Sequence, residues 1–131
     1  MSNDTLLEAF FAVLGVTVLV LATAMILGWK RSIRAHVAAI VGFVVSFAAT
    51  VVLAEMIGRR FTFDKTIEHI HLPLAFTGTA LLALPLVTGW RRLKAKGSLR
   101  AHRIAIVVFL TVFLAAAGTG LGMLTTRTPI P

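Results

Sequence analysis

Polar and apolar positions along this chain fall into blocks. Four apolar runs, roughly residues 6–29, 37–57, 72–90 and 104–124, are separated by short, mostly charged segments. Each run is close to the ~20 residues that carry a helix across ~30 Å of hydrocarbon. None alternates polar and apolar with the period of a barrel strand, so all four are predicted as helices, which satisfy their own backbone inside lipid. The expected fold is an all-α membrane protein with four transmembrane helices and little mass outside the bilayer.

Two of the polar junctions are near copies. Gly28-Trp29-Lys30-Arg31 runs into Ser32-Ile33-Arg34-Ala35-His36. Gly89-Trp90-Arg91-Arg92 is followed by an insert at 93–97 and then by Ser98-Leu99-Arg100-Ala101-His102. The likeness continues in Ala39-Ile40-Val41 against Ala105-Ile106-Val107, Phe43 against Phe109 and Phe47 against Phe113. This predicts tandem duplication of a two-helix hairpin, with repeat units at about 6–58 and 67–126 inside one four-helix domain spanning 1–131. Two repeats of the same orientation imply a pseudo-twofold axis along the membrane normal.

Composition agrees with the pattern. At 58% hydrophobic and 14% charged residues, a water-soluble domain of 131 residues could not cover its surface with polar groups. The net charge of +8 suggests nucleic acid until its distribution is considered. Lys30, Arg31 and Arg34 cluster at the first junction, and Arg91, Arg92, Lys94, Lys96, Arg100 and Arg103 at the third. The five acidic residues, Asp4, Glu8, Glu55, Asp64 and Glu68, fall near the N-terminus or around the second junction. Short loops rich in Lys and Arg stay cytoplasmic, which puts both termini outside, in a bacterial cytoplasmic membrane. The basic residues then serve topology and anionic lipid headgroups, with no nucleic-acid partner. The first run lacks a basic n-region and a cleavage site, so it is expected to remain as a span. Cysteine is absent, which removes disulfides, thiolate metal sites and covalent haem attachment.

Packing expectations come from small residues. Ala38, Gly42, Ser46, Thr50 and Ala54 recur every four residues on the second helix, as do Ala75, Thr79 and Ala83 on the third. Such faces let helices approach closely where lipid provides no hydrophobic drive. Gly118, Gly120 and Gly122 cluster late in the fourth. Pro85 predicts a kink in the third span, and Trp29 and Trp90 mark the membrane interface.

Histidine is the most versatile chemistry present. His36 and His102 begin the second and fourth helices and would face each other under the pseudo-twofold. Neutral imidazoles from two helices are the arrangement that ligates haem b axially or holds copper. An interfacial histidine that bonds loop carbonyls or lipid phosphate is the simpler role. His69 and His71 lie at the opposite side with Glu55, Asp64 and Glu68 nearby in sequence. His71, His69, Glu55 and Glu68 would suit zinc or Cu(II). Residues two apart on a helix diverge by ~200°, however, so His69 and His71 would share a metal only if the segment before Leu72 is not helical, with Pro73 in the first turn. A solvated polar helix start is the alternative. Glu55 is the one carboxylate inside an apolar run, and it can also pair with Arg59 one turn on.

The basic junction leading to His36, the stretch His71-Leu72-Pro73-Leu74-Ala75, the triplet Ala101-His102-Arg103 and the pair Thr119-Gly120 together resemble the small membrane proteins of the YozB/CtaM type. The resemblance runs from about residue 28 to 124. It implies an accessory or assembly role in aerobic respiration, with a haem–copper terminal oxidase as partner. His36, His71 and His102 are the positions matching the family's histidines. This chain departs from the pattern in its last helix, which has no Trp or Tyr. Three functions follow as expectations: a non-enzymatic oxidase assembly protein handling haem or copper, a small b-type cytochrome ligated by His36 and His102, or a structural subunit of a larger membrane complex.

Overall fold

The computed structural model describes residues 1–130. Its elements are α1 (Asn3–Trp29), α2 (Ile33–Gly58), β1 (Phe61–Thr62), α3 (Lys65–Leu81), α4 (Ala83–Leu93), α5 (Leu99–Thr125) and β2 (Thr128–Pro129). Among the described residues four spans are long and apolar enough to cross a membrane: α1, α2, the Lys65–Leu93 stretch made of α3 and α4, and α5. The chain is an all-α membrane protein of four transmembrane helices.

The helices outrun the apolar blocks because their ends are built by polar caps. Ser2 accepts the Thr5 amide at 3.1 Å, Asp64 accepts those of Thr66 and Ile67 at 2.9 and 3.2 Å, and Ser98 accepts that of Ala101 at 3.0 Å. α1 and α4 end alike, with a left-handed residue just past the cap (Arg31 at φ 58°, Ala95 at φ 56°). In both, the next amide reaches back into the last turn: Ser32 to the Leu27 carbonyl at 3.0 Å, Lys96 to that of Arg91 at 2.9 Å. Pro85 has no amide hydrogen for the Leu81 carbonyl, and the third span breaks at Leu82, ahead of the proline.

Contacts divide the chain into two compact units: residues 1–61 together with 129–130, and residues 62–128. The expected repeat units, 6–58 and 67–126, fall one inside each. In the first unit α1 packs against α2. The buried positions are Leu6, Thr17 and Ala24 on α1, and Phe43, Thr50 and Ile57 on α2. The seven-residue step on α2 is that of a seam between two helices. The expected small-residue face of α2 packs in part: Thr50 is buried, Ser46 is half-buried and a Cβ on Gly42 would lie 3.5 Å from Val20 Cγ1 of α1, while Ala38 and Ala54 are exposed. Larger Phe43 and Ile57 fill the rest of the seam. At its centre the Thr17 and Thr50 hydroxyls meet at 3.0 Å.

In the second unit α3 and α4 both pack on α5. Gly78, Ala105, Phe109, Phe113, Ala116 and Leu124 are buried. Gly78 is where the backbones come close, since a Cβ there would lie 3.6 Å from Val112 Cγ1 and 3.9 Å from the Phe113 backbone. Phe43 stacks on Phe47 with ring centroids 5.7 Å apart, and Phe109 on Phe113 at 5.5 Å. Large apolar side chains such as Leu19, Val45 and Leu114 stand about two-thirds exposed, a surface suited to acyl chains and not to water.

Candidate functional site

His36, His71 and His102 each lie over a glycine of a neighbouring helix with Nδ1 in a hydrogen bond to that helix. His36 enters from the first turns of α2, and its Nδ1 lies 2.6 Å from the Ala24 carbonyl on α1. A carbonyl only accepts, so Nδ1 carries the hydrogen and Nε2 is left as the basic nitrogen. The ring lies over Gly28, one turn beyond Ala24, where a Cβ would come within 3.0 Å of Nδ1 and 3.1 Å of Cε1. The missing side chain leaves the second lone pair of the Ala24 carbonyl open to the ring.

His71 repeats the arrangement between α3 and α5. Its Nδ1 lies 3.0 Å from the Ala116 carbonyl and 3.1 Å from Thr119 Oγ1. The glycine is again one turn further on: a Cβ on Gly120 would be 2.8 Å from Cε1. His102, on α5, lies over Gly89 of α4, where a Cβ would be 3.1 Å from its Cε1. Its Nδ1 is 3.0 Å from Thr88 Oγ1. That hydroxyl donates to the Leu84 carbonyl at 2.7 Å, so its oxygen can accept from the ring. All three histidines are half-buried.

The opposite cluster does not assemble. α3 begins at Lys65, capped by Asp64, so Pro73 lies in the interior of the helix and not in its first turn. His69 and His71 are therefore both helical and diverge by ~200°. His71 turns to α5 while His69 is exposed. Thus the condition under which these two rings would share a metal is not met. Glu55 is exposed and pairs with Arg59 at 3.1 Å, one turn along α2, and Glu68 pairs with Lys65 at 2.8 Å. Among the described residues no group of three or more histidines and carboxylates comes together. His71 and His102 are also far apart. The Ala116 carbonyl that holds His71 is fourteen residues along α5 from His102, or ~21 Å at 1.5 Å per residue.

Thr88 carries no chemical signal in the sequence and reads as an ordinary apolar-run threonine, and Thr119 was visible only as part of the Thr119-Gly120 pair. Gly28 and Gly89 were visible as half of the repeated Gly-Trp motif, but only their contact with the histidines explains the glycine. The Asp64 cap was the available signal for the early start of α3.

No family model, curated protein or solved structure matches the chain.

Proposed function

We propose that this chain is a non-enzymatic accessory or assembly protein of aerobic respiration, acting on a haem–copper terminal oxidase in a bacterial cytoplasmic membrane, with both termini outside. The motif resemblance supplies the partner class. The observation that carries the reading is that His36, His71 and His102, the positions matching the family's histidines, are each anchored through Nδ1 on a neighbouring helix and seated over a glycine. An imidazole whose Nδ1–H is held, by a carbonyl for His36 and His71 and by the Thr88 hydroxyl for His102, presents Nε2 in the tautomer and orientation that iron or copper takes. The donors fit such a cargo one imidazole at a time, which suits transient handling better than a closed structural site. His36 and His102 are the residues proposed to hold haem, with copper as the other cargo. The two units, on this reading, descend from one duplicated hairpin.

The test uses cells lacking the chain, complemented with the wild type or with His36→Ala, His71→Ala or His102→Ala at matched membrane levels. Loss of the oxidase's haem absorbance and activity, with co-purification of oxidase subunits in detergent, supports the assembly role. Full oxidase in cells without the chain would sink it.

A further inference from the structure

We propose that the cavity between the end of α4 and the start of α5 is a binding site for a phosphate group, supplied by the headgroup of an anionic phospholipid. The cavity holds about 180 Å³ and is lined by Thr88, Arg91, Lys96, Gly97, Ser98 and Ala101. That is roughly six water volumes, enough for a phosphodiester headgroup.

The insert at 93–97 builds it. At the first junction the chain passes from Arg31 directly to Ser32, and the same left-handed turn leads straight into α2. At the third junction the turn at Ala95 brings Lys96 back so that its amide bonds the Arg91 carbonyl at 2.9 Å, which sets the two basic residues on one cavity. Gly97 then passes against the end of α4, where a Cβ would be 3.1 Å from the Arg92 nitrogen and 3.2 Å from Arg91. On the α5 side Ser98 caps the helix by accepting the Ala101 amide at 3.0 Å, and the amides of Leu99 and Arg100 have no carbonyl partner within the helix.

Charge gives the second argument. Arg91, Arg92, Lys94, Lys96, Arg100 and Arg103 crowd this segment, while the last acidic residue in the chain is Glu68. The two ion pairs among the described residues, Arg59–Glu55 and Lys65–Glu68, involve none of these six. The anion that balances them comes from outside the chain. The apolar span ends here and Trp90 stands exposed beside Arg91, as at a headgroup boundary. Thr88 lines the cavity and also holds His102, so a phosphate oxygen that draws the Thr88 hydrogen away from the Leu84 carbonyl reaches His102 through a single contact.

Native mass spectrometry of the full chain, delipidated in detergent and titrated with phosphatidylglycerol, tests the site. Arg91→Gln with Lys96→Gln is expected to lower lipid retention roughly tenfold, the equivalent of ~1.4 kcal/mol. Lys30→Gln with Arg31→Gln removes the same charge at the first junction and is expected to leave retention near the wild type. The pair Arg91→Lys and Lys96→Arg keeps the charges and is expected to keep binding, and unchanged circular dichroism establishes that each variant is folded. Equal losses from the two glutamine pairs would overturn the proposal in favour of diffuse surface charge. Inorganic phosphate supplies the other arm. Saturable phosphate binding in phosphatidylcholine nanodiscs, abolished by the Arg91→Gln, Lys96→Gln pair and undiminished by added phosphatidylglycerol, would overturn the lipid as the source.

Discussion

His71 and Gly120 sit closer than any L side chain at position 120 would allow, since a Cβ there would be 2.8 Å from the imidazole Cε1. The ring cannot retreat without loosening its bonds to the Ala116 carbonyl and the Thr119 hydroxyl. Gly120→Ala is therefore expected to cost about 1–3 kcal/mol in unfolding from detergent and to move the His71 imidazole nitrogen resonances. Gly118 is the control, because a Cβ there meets nothing within 4 Å. Gly118→Ala should be neutral or stabilise by up to ~1 kcal/mol through helix propensity. If both alanines behave alike, the contact places no constraint on the ring.

The Thr17–Thr50 pair makes a prediction about coupling. Each hydroxyl has one hydrogen and also reaches a carbonyl on its own helix, Val13 at 2.8 Å and Ser46 at 2.9 Å. Only one can donate across the 3.0 Å gap at a time while the other bonds backward. Thr17→Val or Thr50→Val alone is expected to cost about 0.6–1.7 kcal/mol. The double variant should cost clearly less than the sum, because the one hydrogen bond across the seam is already lost in either single variant. Strict additivity in a double-mutant cycle would show that the pair is not coupled.

Ala95 adopts the left-handed conformation at φ 56°, which costs an L residue roughly 1–2 kcal/mol. Ala95→Gly is expected to recover about 1 kcal/mol of that, read as a raised unfolding midpoint in detergent. A lowered midpoint would mean that the turn after α4 is not under this strain.

Asp64 accepts two of the free first-turn amides of α3, those of Thr66 and Ile67. Asp64→Ala is expected to cost about 1 kcal/mol and to speed hydrogen exchange at Thr66 and Ile67 while the α5 amides stay protected. Uniform acceleration along α5 as well would place the loss in global stability and not in the cap.

Topology is tested on its own. With both termini outside, a periplasmically active reporter fused to the end of the chain should work, and a cytoplasmically active one should not. The reverse pattern would overturn the charge-based orientation.

The positions of the four spans were legible because hydrocarbon imposes length and apolarity on any crossing helix, whatever it packs against. The polar helix ends were less so. Asp64, Ser98 and Ser2 extend α3, α5 and α1 beyond the apolar blocks, and the extension of α3 separates His69 from His71. The small-residue pattern on α2 was legible only in part for a related reason: periodicity marks a face but does not say how much of it a neighbour covers, and of that series only Thr50 is buried, between Phe43 and Ile57.

Hydropathy and charge, which act residue by residue against lipid and water, were enough to set four helices, their approximate bounds and the clustering of basic residues at two junctions. The pairing of His36 with Gly28, His71 with Gly120 and His102 with Gly89 was decided by tertiary structure alone. Each pairing depends on how two helices slide and rotate against each other, and that register is fixed by side-chain packing summed along the whole contact, to which no single position in the sequence testifies.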